Sequence, residues 1–326
     1  MTRILVVGAG AVGARATRQL VESGDVDQVV VVDPDPRRRA AVVHGTGGGV
    51  IDGGIAADHD VDAVLLAGPN GTHVDAARHH LALGRPVVSC ADGVEEVEGL
   101  LEMGPDAVRR GVALVVGAGF SPGYTCLLAR HAANAFDTVD EIHVARTGTG
   151  GPSCARAHHA ALTGTAVDWR DGDWQRRVAG SGRELCWFPD PIGAEDCYRA
   201  ALPDALLLVP TFTGVGRVTA RLAATRRDRI TAHLPMLRKP HPEGLHGAVR
   251  VEVRGSRGGV RDVSVLGALD RPAVAAGAVA AVAVTWALDG RISAGAAGLA
   301  SIVDPVPFLR ELAAVGIKAA TFDGSG

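Results

Sequence analysis

Three glycines near the start of the chain have the first chemically informative spacing. Gly8, Gly10 and Gly13 form a G-x-G-x-x-G pattern directly after the apolar run Ile4–Val7. The first glycine of such a pattern permits a tight turn, the second lets the backbone approach a pyrophosphate, and the third lets a helix pack closely. Asp33 follows Gly13 by 20 residues, at the end of a second apolar run. A carboxylate there accepts hydrogen bonds from ribose hydroxyls, so the spacing predicts a dinucleotide-binding site.

The acid at position 33 favours NAD as the cofactor. A carboxylate repels a 2′-phosphate and accepts hydrogen bonds from free hydroxyls. Arg37–Arg39 leave NADP open as an alternative, because one of them can turn towards a 2′-phosphate. The residues predicted to contact the cofactor lie in the glycine loop, at position 33 and in two later loops: Gly8, Gly10, Ala11, Val12, Gly13, Asp33, Ala67, Gly68, Pro69, Ser89 and Cys90.

Four residues are candidates for the proton transfer that accompanies hydride transfer, for which histidine and carboxylate side chains are suited. His73 follows a glycine- and proline-containing loop, so it either faces the cofactor or caps the helix that it begins. His158 and His159 are adjacent, and one of them should point inwards from a helix. Asp92 follows an apolar strand, where it either orients a substrate amino group or caps the next helix.

Arg146, Ser121 and Thr147 are the residues predicted to bind the substrate. Arg146 lies near the end of a predicted strand, and a guanidinium binds a carboxylate through two parallel hydrogen bonds. The alternative for Arg146 is an ordinary exposed arginine. Ser121 opens a Ser-Pro-Gly turn that either lies beside the nicotinamide or only links two domains. Cys90 has no adjacent base in the sequence, which favours a buried neutral thiol over a nucleophile.

The elements that must position these residues alternate between strands and helices in the first third of the chain. Strands are predicted at Ile4–Val7, Gln28–Val32, Ala63–Leu66, Pro86–Ser89 and Val112–Val116. Helices are predicted at Ala14–Glu22 and Thr72–Leu83, Val94–Gly111 is predicted to be mostly helical, and Gly45–Gly54 is predicted as a loop. This order predicts an α/β fold with a Rossmann-type, doubly wound parallel sheet. Ligands bind such sheets beyond the carboxyl ends of the strands, so the loops there should share one crevice.

The pattern changes after residue 122. A helix at Leu127–Ala135 is followed by longer predicted strands at Val139–Thr147, Leu206–Val209, Arg217–Ala223, Ala248–Arg254 and Val260–Leu269. Residues 123–271 are therefore predicted to form a second α+β domain, built on a mostly antiparallel sheet and used for substrate binding and dimerisation. The helix Ala273–Leu288 is apolar on all sides and should pack on the first domain. We therefore assign residues 1–122 and 272–326 to the dinucleotide-binding domain.

Composition narrows the range of partners. The net charge of −3 gives no reason to expect binding to nucleic acid or a membrane surface, so a small-molecule substrate is expected. The longest apolar stretch has 16 residues, which is short for a bilayer span. The five cysteines are scattered without a paired spacing, which indicates reduced thiols and a cytoplasmic location. Histidines and acids show no metal-binding spacing, so we expect no metal site. We also expect a homodimer.

Three further stretches have a familiar order. They are Leu65–Pro69, then Gly117–Gly123 running into Leu127–Ala129, and finally Asp304–Leu312 with Gly316–Ile317. Together with the glycine pattern they resemble the saccharopine dehydrogenase-like group, which includes saccharopine reductases, lysine 6-dehydrogenases and carboxynorspermidine dehydrogenases. The resemblance implies an NAD(P)-dependent oxidoreductase that transfers a hydride at a C–N centre, from amine or amino acid to imine or in reverse. Thr147–Pro152 departs from the Gly-Gly-Leu-Pro-like turn of these relatives, which leaves the substrate open.

Two alternatives remain. The loop Ala67–His73 is similar to that of the glucose–fructose oxidoreductase-like sugar dehydrogenases, which act on C–OH groups. Those enzymes usually carry a Glu-Lys-Pro motif whose lysine helps the hydroxyl lose its proton. Ala91 stands at the position of that lysine here, which counts against their mechanism. The second alternative is a protein that binds NAD(P) without turnover, because no single residue is unmistakably catalytic.

Overall fold

The computed structural model describes residues 1–55, 59–236 and 239–322. The first part of the chain forms a parallel sheet. Its strands are β1 (Arg3–Val7), β2 (Gln28–Val32), β3 (Val50–Asp52), β4 (Ala63–Leu66), β5 (Val87–Ser89) and β6 (Ala113–Val116). Its helices are α1 (Ala11–Ser23), α2 (Pro36–Thr46), α3 (His73–Ala82), α4 (Val94–Leu101) and α5 (Gly104–Arg110). The spatial order is β3, β2, β1, β4, β5, β6 and then a late strand, Gly295–Ala297, with all seven parallel.

Strands β1 and β4 form the centre of this sheet. Ile4, Leu5 and Val6 are fully buried, as are the side chains of β4, because helices cover both faces of the sheet. The chain moves from β1 to β2 on one side and to β4 on the other, so the connections diverge between β1 and β4. That is the place where parallel sheets of this type bind ligands. The predicted Rossmann-type sheet is thus confirmed.

The middle of the chain builds a second sheet. Its strands are β7 (Thr138–Thr147), β8 (Thr165–Arg170), β9 (Asp173–Val178), β10 (Glu184–Trp187), β11 (Ala194–Arg199), β12 (Arg217–Ala223), β13 (Gly247–Arg257) and β14 (Val260–Asp270). Its helices are α6 (Tyr124–Ala133), α7 (Pro152–Ala161), α8 (Asp204–Leu208) and α9 (Arg226–Thr231). The pair β7–β12 is parallel and the other pairs are antiparallel, so the sheet is mixed but mostly antiparallel, as expected.

The end of the chain connects both sheets. Its elements are α10 (Pro272–Leu288), β15 (Gly295–Ala297), α11 (Leu299–Ile302), α12 (Pro305–Ala314) and β16 (Ala320–Thr321). Helix α10 packs against α1, β4 and β5, where the sequence analysis expected it, and β15 pairs with β6. A Cβ on Gly277 would lie 2.7 Å from the Cβ of Arg15, so a glycine permits this close packing of α10 on α1. Strand β16, however, pairs with β14 of the second sheet.

The sequence analysis was wrong about two segments. Leu206–Val209 was predicted as a strand but belongs to α8 and the short 3-10 helix that follows it. A short apolar run fits a buried strand and a buried helix equally well, and only the fold decides between them. The glycine-rich loop predicted at Gly45–Gly54 contains the edge strand β3. In the part of the chain that the structure describes, none of the helices is both long and apolar enough to cross a membrane.

Candidate active site

A cavity of about 840 Å³ lies between the carboxyl ends of the first-sheet strands and the second domain. The loops after β1, β4, β5 and β6 line it on one side, as the parallel-sheet topology predicts. The loop from β7 to α7 and Pro242–Glu243 line it on the other side. A Cβ on Gly151 would lie 3.0 Å from the Cβ of Ala11, so the start of α7 closely approaches the glycine loop.

The glycine loop has the geometry that a dinucleotide requires. Gly8 has a φ of +107°, and a Cβ there would lie 2.8 Å from backbone atoms of Ala67. A Cβ on Gly13 would lie 1.8 Å from the carbonyl oxygen of Gly8, so only glycine allows α1 to pack this closely. A Cβ on Gly10 would meet no atom within 4 Å, and Gly10 lines the cavity. The open space at Gly10, beside the N-terminus of α1, fits a pyrophosphate.

Asp33 lies at the end of β2 and lines the cavity with Arg38. The Asp33 carboxylate accepts hydrogen bonds from the N–H groups of Ala9 and Asp35, each at 2.8 Å, so it also holds the glycine loop. Arg39 is not available to a cofactor, because its guanidinium binds Asp52 at 2.6 Å and also the Asp33 carbonyl oxygen. Of the three adjacent arginines, Arg38 is therefore the one placed to contact the adenosine end of a dinucleotide.

His73 occupies a structural position away from the cavity lining. Its ring is 1% exposed; Nε2 donates to the Gly68 carbonyl oxygen at 2.9 Å, and Nδ1 accepts from the Ser89 hydroxyl at 2.8 Å. Burial lowers the pKa of His73, so the ring is neutral. Glu96 accepts from the backbone N–H groups of His73 and Val74, at 2.7 and 3.0 Å, and so caps α3. The catalytic role predicted for His73 has no support in this geometry, because both ring nitrogens are occupied.

Asp92 and Arg146 meet inside the cavity. Arg146 Nη1 lies 3.4 Å from Asp92 Oδ2 and donates to the Ser121 carbonyl oxygen at 2.5 Å. Asn70 Nδ2 donates to Asp92 Oδ1 at 2.8 Å, and the Asp92 N–H donates back to Asn70 Oδ1 at 3.3 Å. Helix α4 has Gly93 as its N-cap without a side-chain bond, so Asp92 does not cap it. The capping role considered for Asp92 is therefore not observed, and its role within the site stays a prediction.

Ser121 and Thr147 both line the cavity, from the two sides of the crevice. The Ser121 hydroxyl donates to the carboxylate of Asp204 at 3.1 Å, and its carbonyl oxygen receives Arg146, so the Ser-Pro-Gly turn joins the two domains. Thr147 ends β7, one residue after Arg146. Ser89 and Gly13 do not line the cavity. They shape it through the contacts with His73 and Gly8 described above.

The two adjacent histidines of α7 point in different directions. His158 lines the cavity, and burial together with the nearby Arg146 charge lowers the pKa of His158 to about 4. It is therefore neutral at physiological pH and can accept a hydrogen bond or a proton. His159 does not line the cavity; its Nε2 lies 2.9 Å from the Leu234 carbonyl oxygen, to which it donates. The expectation that one of the pair points inwards describes His158, whereas His159 has no contact that would make it catalytic.

Two thiols line the cavity as neutral groups. Burial raises the pKa of Cys90 to about 12 and that of Cys154 to about 11. The Cys90 thiol also donates weakly to the Ala118 carbonyl oxygen at 3.6 Å. A thiol with a raised pKa carries almost no thiolate at neutral pH, so neither cysteine is an activated nucleophile. Among the described residues, no cluster of three or more histidine, cysteine or acidic side chains is arranged to hold a metal ion.

Several cavity residues were not predicted from the sequence. These are Arg18 and Asn70 in the first domain, and Cys154, Arg156 and Glu243 in the second. Asn70 had a usable signal, because it lies in a loop that the predicted parallel sheet places at the crevice. The others lie on helices or long loops whose orientation depends on how the two domains pack. The sequence contained no pattern that could have found them.

Comparison with known proteins defines the class. Residues 2–104 match the GFO/IDH/MocA family model, described as an oxidoreductase family with an NAD-binding Rossmann fold. No curated protein matches the chain. The match lies in the domain that contains the glycine loop and Asp33, so the cofactor is NAD and the chain is an NAD-dependent dehydrogenase. The matched model corresponds to the group that the sequence analysis set as its alternative, and the match covers residues 2–104 alone. They end before the substrate-facing residues of the second domain.

Solved structures share the whole two-domain fold. The apo saccharopine dehydrogenase (L-Glu forming) of Saccharomyces cerevisiae is similar with a TM-score of 0.68 and 15% identity, over 99% of this chain and 100% of that chain. The DAP dehydrogenase of C. glutamicum, solved with DAP, has a TM-score of 0.52 and 16% identity, over 97% and 99%. A myo-inositol dehydrogenase of Corynebacterium glutamicum has a TM-score of 0.50 and 14% identity, with full coverage of both chains. At these identities the likeness shows the fold alone.

Proposed function

We propose that this dehydrogenase oxidises an amine or amino acid at the carbon that carries nitrogen, or reduces the corresponding imine. The observation that carries the proposal is the pairing of Arg146 with Asp92 in the cavity, at 3.4 Å. A cation and an anion placed side by side match the two charges of an amino acid. The fold likeness to saccharopine and DAP dehydrogenases is compatible with this choice and does not decide it.

The long contact between Arg146 and Asp92 allows each side chain to bind a charged group of the substrate instead. At 3.4 Å the contact between Arg146 and Asp92 is long for a charge-assisted hydrogen bond. A substrate carboxylate can therefore take the place of Asp92 on the guanidinium, while the substrate ammonium takes the place of Arg146 on Asp92. Asn70 holds Asp92 through two hydrogen bonds, so the carboxylate keeps its orientation during this exchange.

In the proposed reaction, side chains of the protein accept the proton that the substrate ammonium loses. NAD, when bound, supplies the hydride acceptor. The substrate ammonium must first lose a proton, and Asp92 and neutral His158 both line the cavity as acceptors. The C–H electron pair then leaves as hydride while the nitrogen lone pair forms the C=N bond. We propose that residues 1–122 and 272–326 bind the cofactor and residues 123–271 contribute the substrate contacts, with β16 as the exception noted above.

Oxidation of an alcohol is the second candidate, because residues 2–104 match the GFO/IDH/MocA oxidoreductase model and the fold is similar to that of a myo-inositol dehydrogenase. That chemistry usually employs a lysine to take the hydroxyl proton. The chain has only two lysines, Lys239 and Lys318, and neither lines the cavity. Ala91, at the corresponding position, is 1% exposed and does not line the cavity either. The lining residues therefore favour C–N over C–O oxidation.

The test of the proposal is Arg146→Lys. Lysine keeps the charge but cannot form two parallel hydrogen bonds to a carboxylate, so KM for an amino acid should rise about tenfold, or ~1.4 kcal/mol, with little change in kcat. The matched control is Arg254→Lys, which alters a half-exposed arginine on β13 and should leave KM unchanged. Initial rates followed by absorbance at 340 nm give both constants. An unchanged KM in Arg146→Lys would remove Arg146 from the substrate site.

A further inference from the structure

A buried carboxylate outside the cavity lining shares a hydrogen-bond partner with Arg146. Asp204 begins α8 and is fully buried. It does not line the cavity. Its Oδ1 accepts hydrogen bonds from the Ser121 hydroxyl at 3.1 Å and from the Thr125 hydroxyl at 2.8 Å. An ionisable group without access to solvent is costly unless a nearby charge or hydrogen bonds compensate it, so its presence needs an explanation.

Helix α8 is wedged between the two domains at this point. It belongs to the second domain by sequence, between β11 and β12, yet besides α6 of that domain it contacts α11, which follows β15 of the first sheet. The Leu207 side chain of α8 lies so close to Gly117 and Gly298 that a Cβ on either glycine would come within 2.9 Å of it. The helix therefore has little freedom to move. Asp204 is consequently held at a fixed place under the Ser121 turn.

Asp204 and Arg146 share the Ser121 residue as a common partner. Asp204 receives the hydroxyl of Ser121, and Arg146 donates to its carbonyl oxygen. Two further atoms in this cluster, Asp204 Oδ2 and Arg146 Nε, are buried without a hydrogen-bond partner among the described residues. One of them is an acceptor and the other a donor. Burial raises the pKa of Asp204, and the nearby positive charge of Arg146 opposes that rise, so the two side chains interact electrostatically.

We infer that Asp204 is a positioning residue for Arg146: it fixes the Ser121 turn, to which Arg146 donates, and it places a carboxylate near the guanidinium. The inference rests on the proposed function in taking Arg146 as the group that binds the substrate carboxylate. When a substrate carboxylate displaces Asp92, Arg146 remains oriented because it still donates to the Ser121 carbonyl oxygen, in a turn that Asp204 holds. Asp204 thereby tunes affinity for the anionic end of the substrate without touching it.

The experiment compares carboxylate binding in wild type and Asp204→Asn. Asparagine keeps the size and an oxygen for the two hydroxyls, but removes the charge. Oxalate serves as the probe, titrated into the NADH complex by isothermal titration calorimetry, so the measurement does not depend on turnover. We expect Asp204→Asn to weaken oxalate binding about tenfold and to change the Kd for NADH by less than about twofold.

A double-mutant cycle separates positioning from a general structural effect. In an Arg146→Gln background, which should itself bind oxalate poorly, Asp204→Asn should have no further effect. The control is Asp168→Asn, which removes another buried carboxylate that is bound to an arginine, Arg221. Arg221 pairs in register with Ala145, so it lies on the sheet face opposite to Arg146. Asp168→Asn should lower Tm without changing oxalate affinity. If Asp204→Asn does not fold, Thr125→Val removes one hydroxyl contact and should weaken oxalate binding in the same direction.

The outcomes distinguish this inference from the proposed function. Equal oxalate affinity in wild type and Asp204→Asn, additive effects with Arg146→Gln, or no oxalate binding by wild type would each overturn the positioning role. Weakened oxalate binding in Asp204→Asn, combined with no turnover of any amino acid or amine, would reject the proposed function and keep the positioning role. Turnover of an amino acid by the wild type, combined with unchanged oxalate affinity in Asp204→Asn, would support the proposed function and reject the positioning role.

Discussion

At the scale of residues, the cavity is defined by charged side chains that meet across the domain crevice. Arg146 comes from the second sheet and Asp92 from the first domain, 54 positions earlier in the chain. Neutral His158 lies beside this pair, and the glycine loop lies opposite. In the proposed function, these groups bind an amino acid, accept its proton and bind the dinucleotide at adjacent places. Each group alone has an ordinary structural explanation. Their convergence in one cavity is what supports a shared function.

Cofactor preference is decided by the balance between Asp33 and Arg38. Asp33 repels a 2′-phosphate, so NADH should bind more tightly than NADPH. Arg38 lines the same end of the cavity, so Arg38→Gln should weaken the binding of NADPH further and leave the affinity for NADH nearly unchanged. Parallel fluorescence titrations of the two reduced cofactors measure both effects. Tighter binding of NADPH by the wild type would show that the arginine outweighs the acid.

The lowered pKa of His158 makes stability depend on pH. In the unfolded chain this histidine takes a proton near its ordinary pKa of 6.5, whereas in the folded chain it does so only near 4. The unfolded state therefore binds more protons between these values, and the folded protein loses stability as the pH falls from about 6.5 to about 4. His158→Gln should remove part of this loss, on the order of 1 kcal/mol at pH 5.

The adjacent histidine supplies the control for that measurement. His159→Gln changes a ring outside the cavity and should retain the acid dependence of the wild type. Thermal unfolding of the three proteins at pH 7 and pH 5 is the comparison. The drop in Tm from pH 7 to pH 5 should be smaller in His158→Gln than in the other two proteins. An equal drop in all three would contradict the assigned burial of His158.

At the scale of elements, two helices begin at the cavity with matching geometry. Gly10 before α1 and Gly151 before α7 have φ and ψ of −75° and −172°, and of −71° and −172°. Neither helix has a side-chain cap on its first-turn N–H groups, and Gly151 lies close to Ala11 at the glycine loop. The positive ends of both helix dipoles thus lie near the expected pyrophosphate.

Substitution of the two loop glycines separates cofactor binding from folding. Gly10→Ala adds a methyl group where no atom lies within 4 Å, so the protein should fold with an unchanged Tm. The methyl group occupies space needed by the pyrophosphate, and NADH affinity should fall about tenfold, or ~1.4 kcal/mol. Gly13→Ala should instead lower Tm, because its Cβ would lie 1.8 Å from the Gly8 oxygen. Wild-type NADH affinity in Gly10→Ala would place the pyrophosphate elsewhere.

At the scale of the whole molecule, the first domain could be predicted from the sequence far better than the second. Strands β2 and β4 of the first domain have the predicted bounds, because uninterrupted apolar runs specify them, and β12 of the second domain has the predicted bounds as well. Strands β8–β11 were not predicted, since each is only four to six residues long and contains charged residues, and β9 and β10 are also largely exposed. Helix α8 was taken for a strand because its apolar run fits both.

The candidate site could also be predicted only in part from the sequence. The parallel-sheet topology places the loops after β1, β4, β5 and β6 together, and this followed from strand order alone. The partners of Arg146 and the burial of Asp204 depend on how α8 and β7 pack against the first domain. No local pattern encodes such packing. His73 shows the same limit. The sequence places this histidine in a loop at the crevice, but it does not show that the ring nitrogens bind Ser89 and Gly68.

The central claim is that the substrate is oxidised at a C–N rather than a C–OH centre, and one measurement tests it most directly. Purified wild type with NAD is offered an amino acid and the 2-hydroxy acid of the same side chain, with a panel of such pairs and of sugars and polyols, and absorbance is followed at 340 nm. The account predicts that an amino acid or amine is oxidised with kcat/KM at least about tenfold above that of its hydroxy counterpart. Turnover of hydroxy acids, sugars or polyols with none of amines or amino acids would contradict it, and NAD binding without any consumption would favour a non-catalytic role.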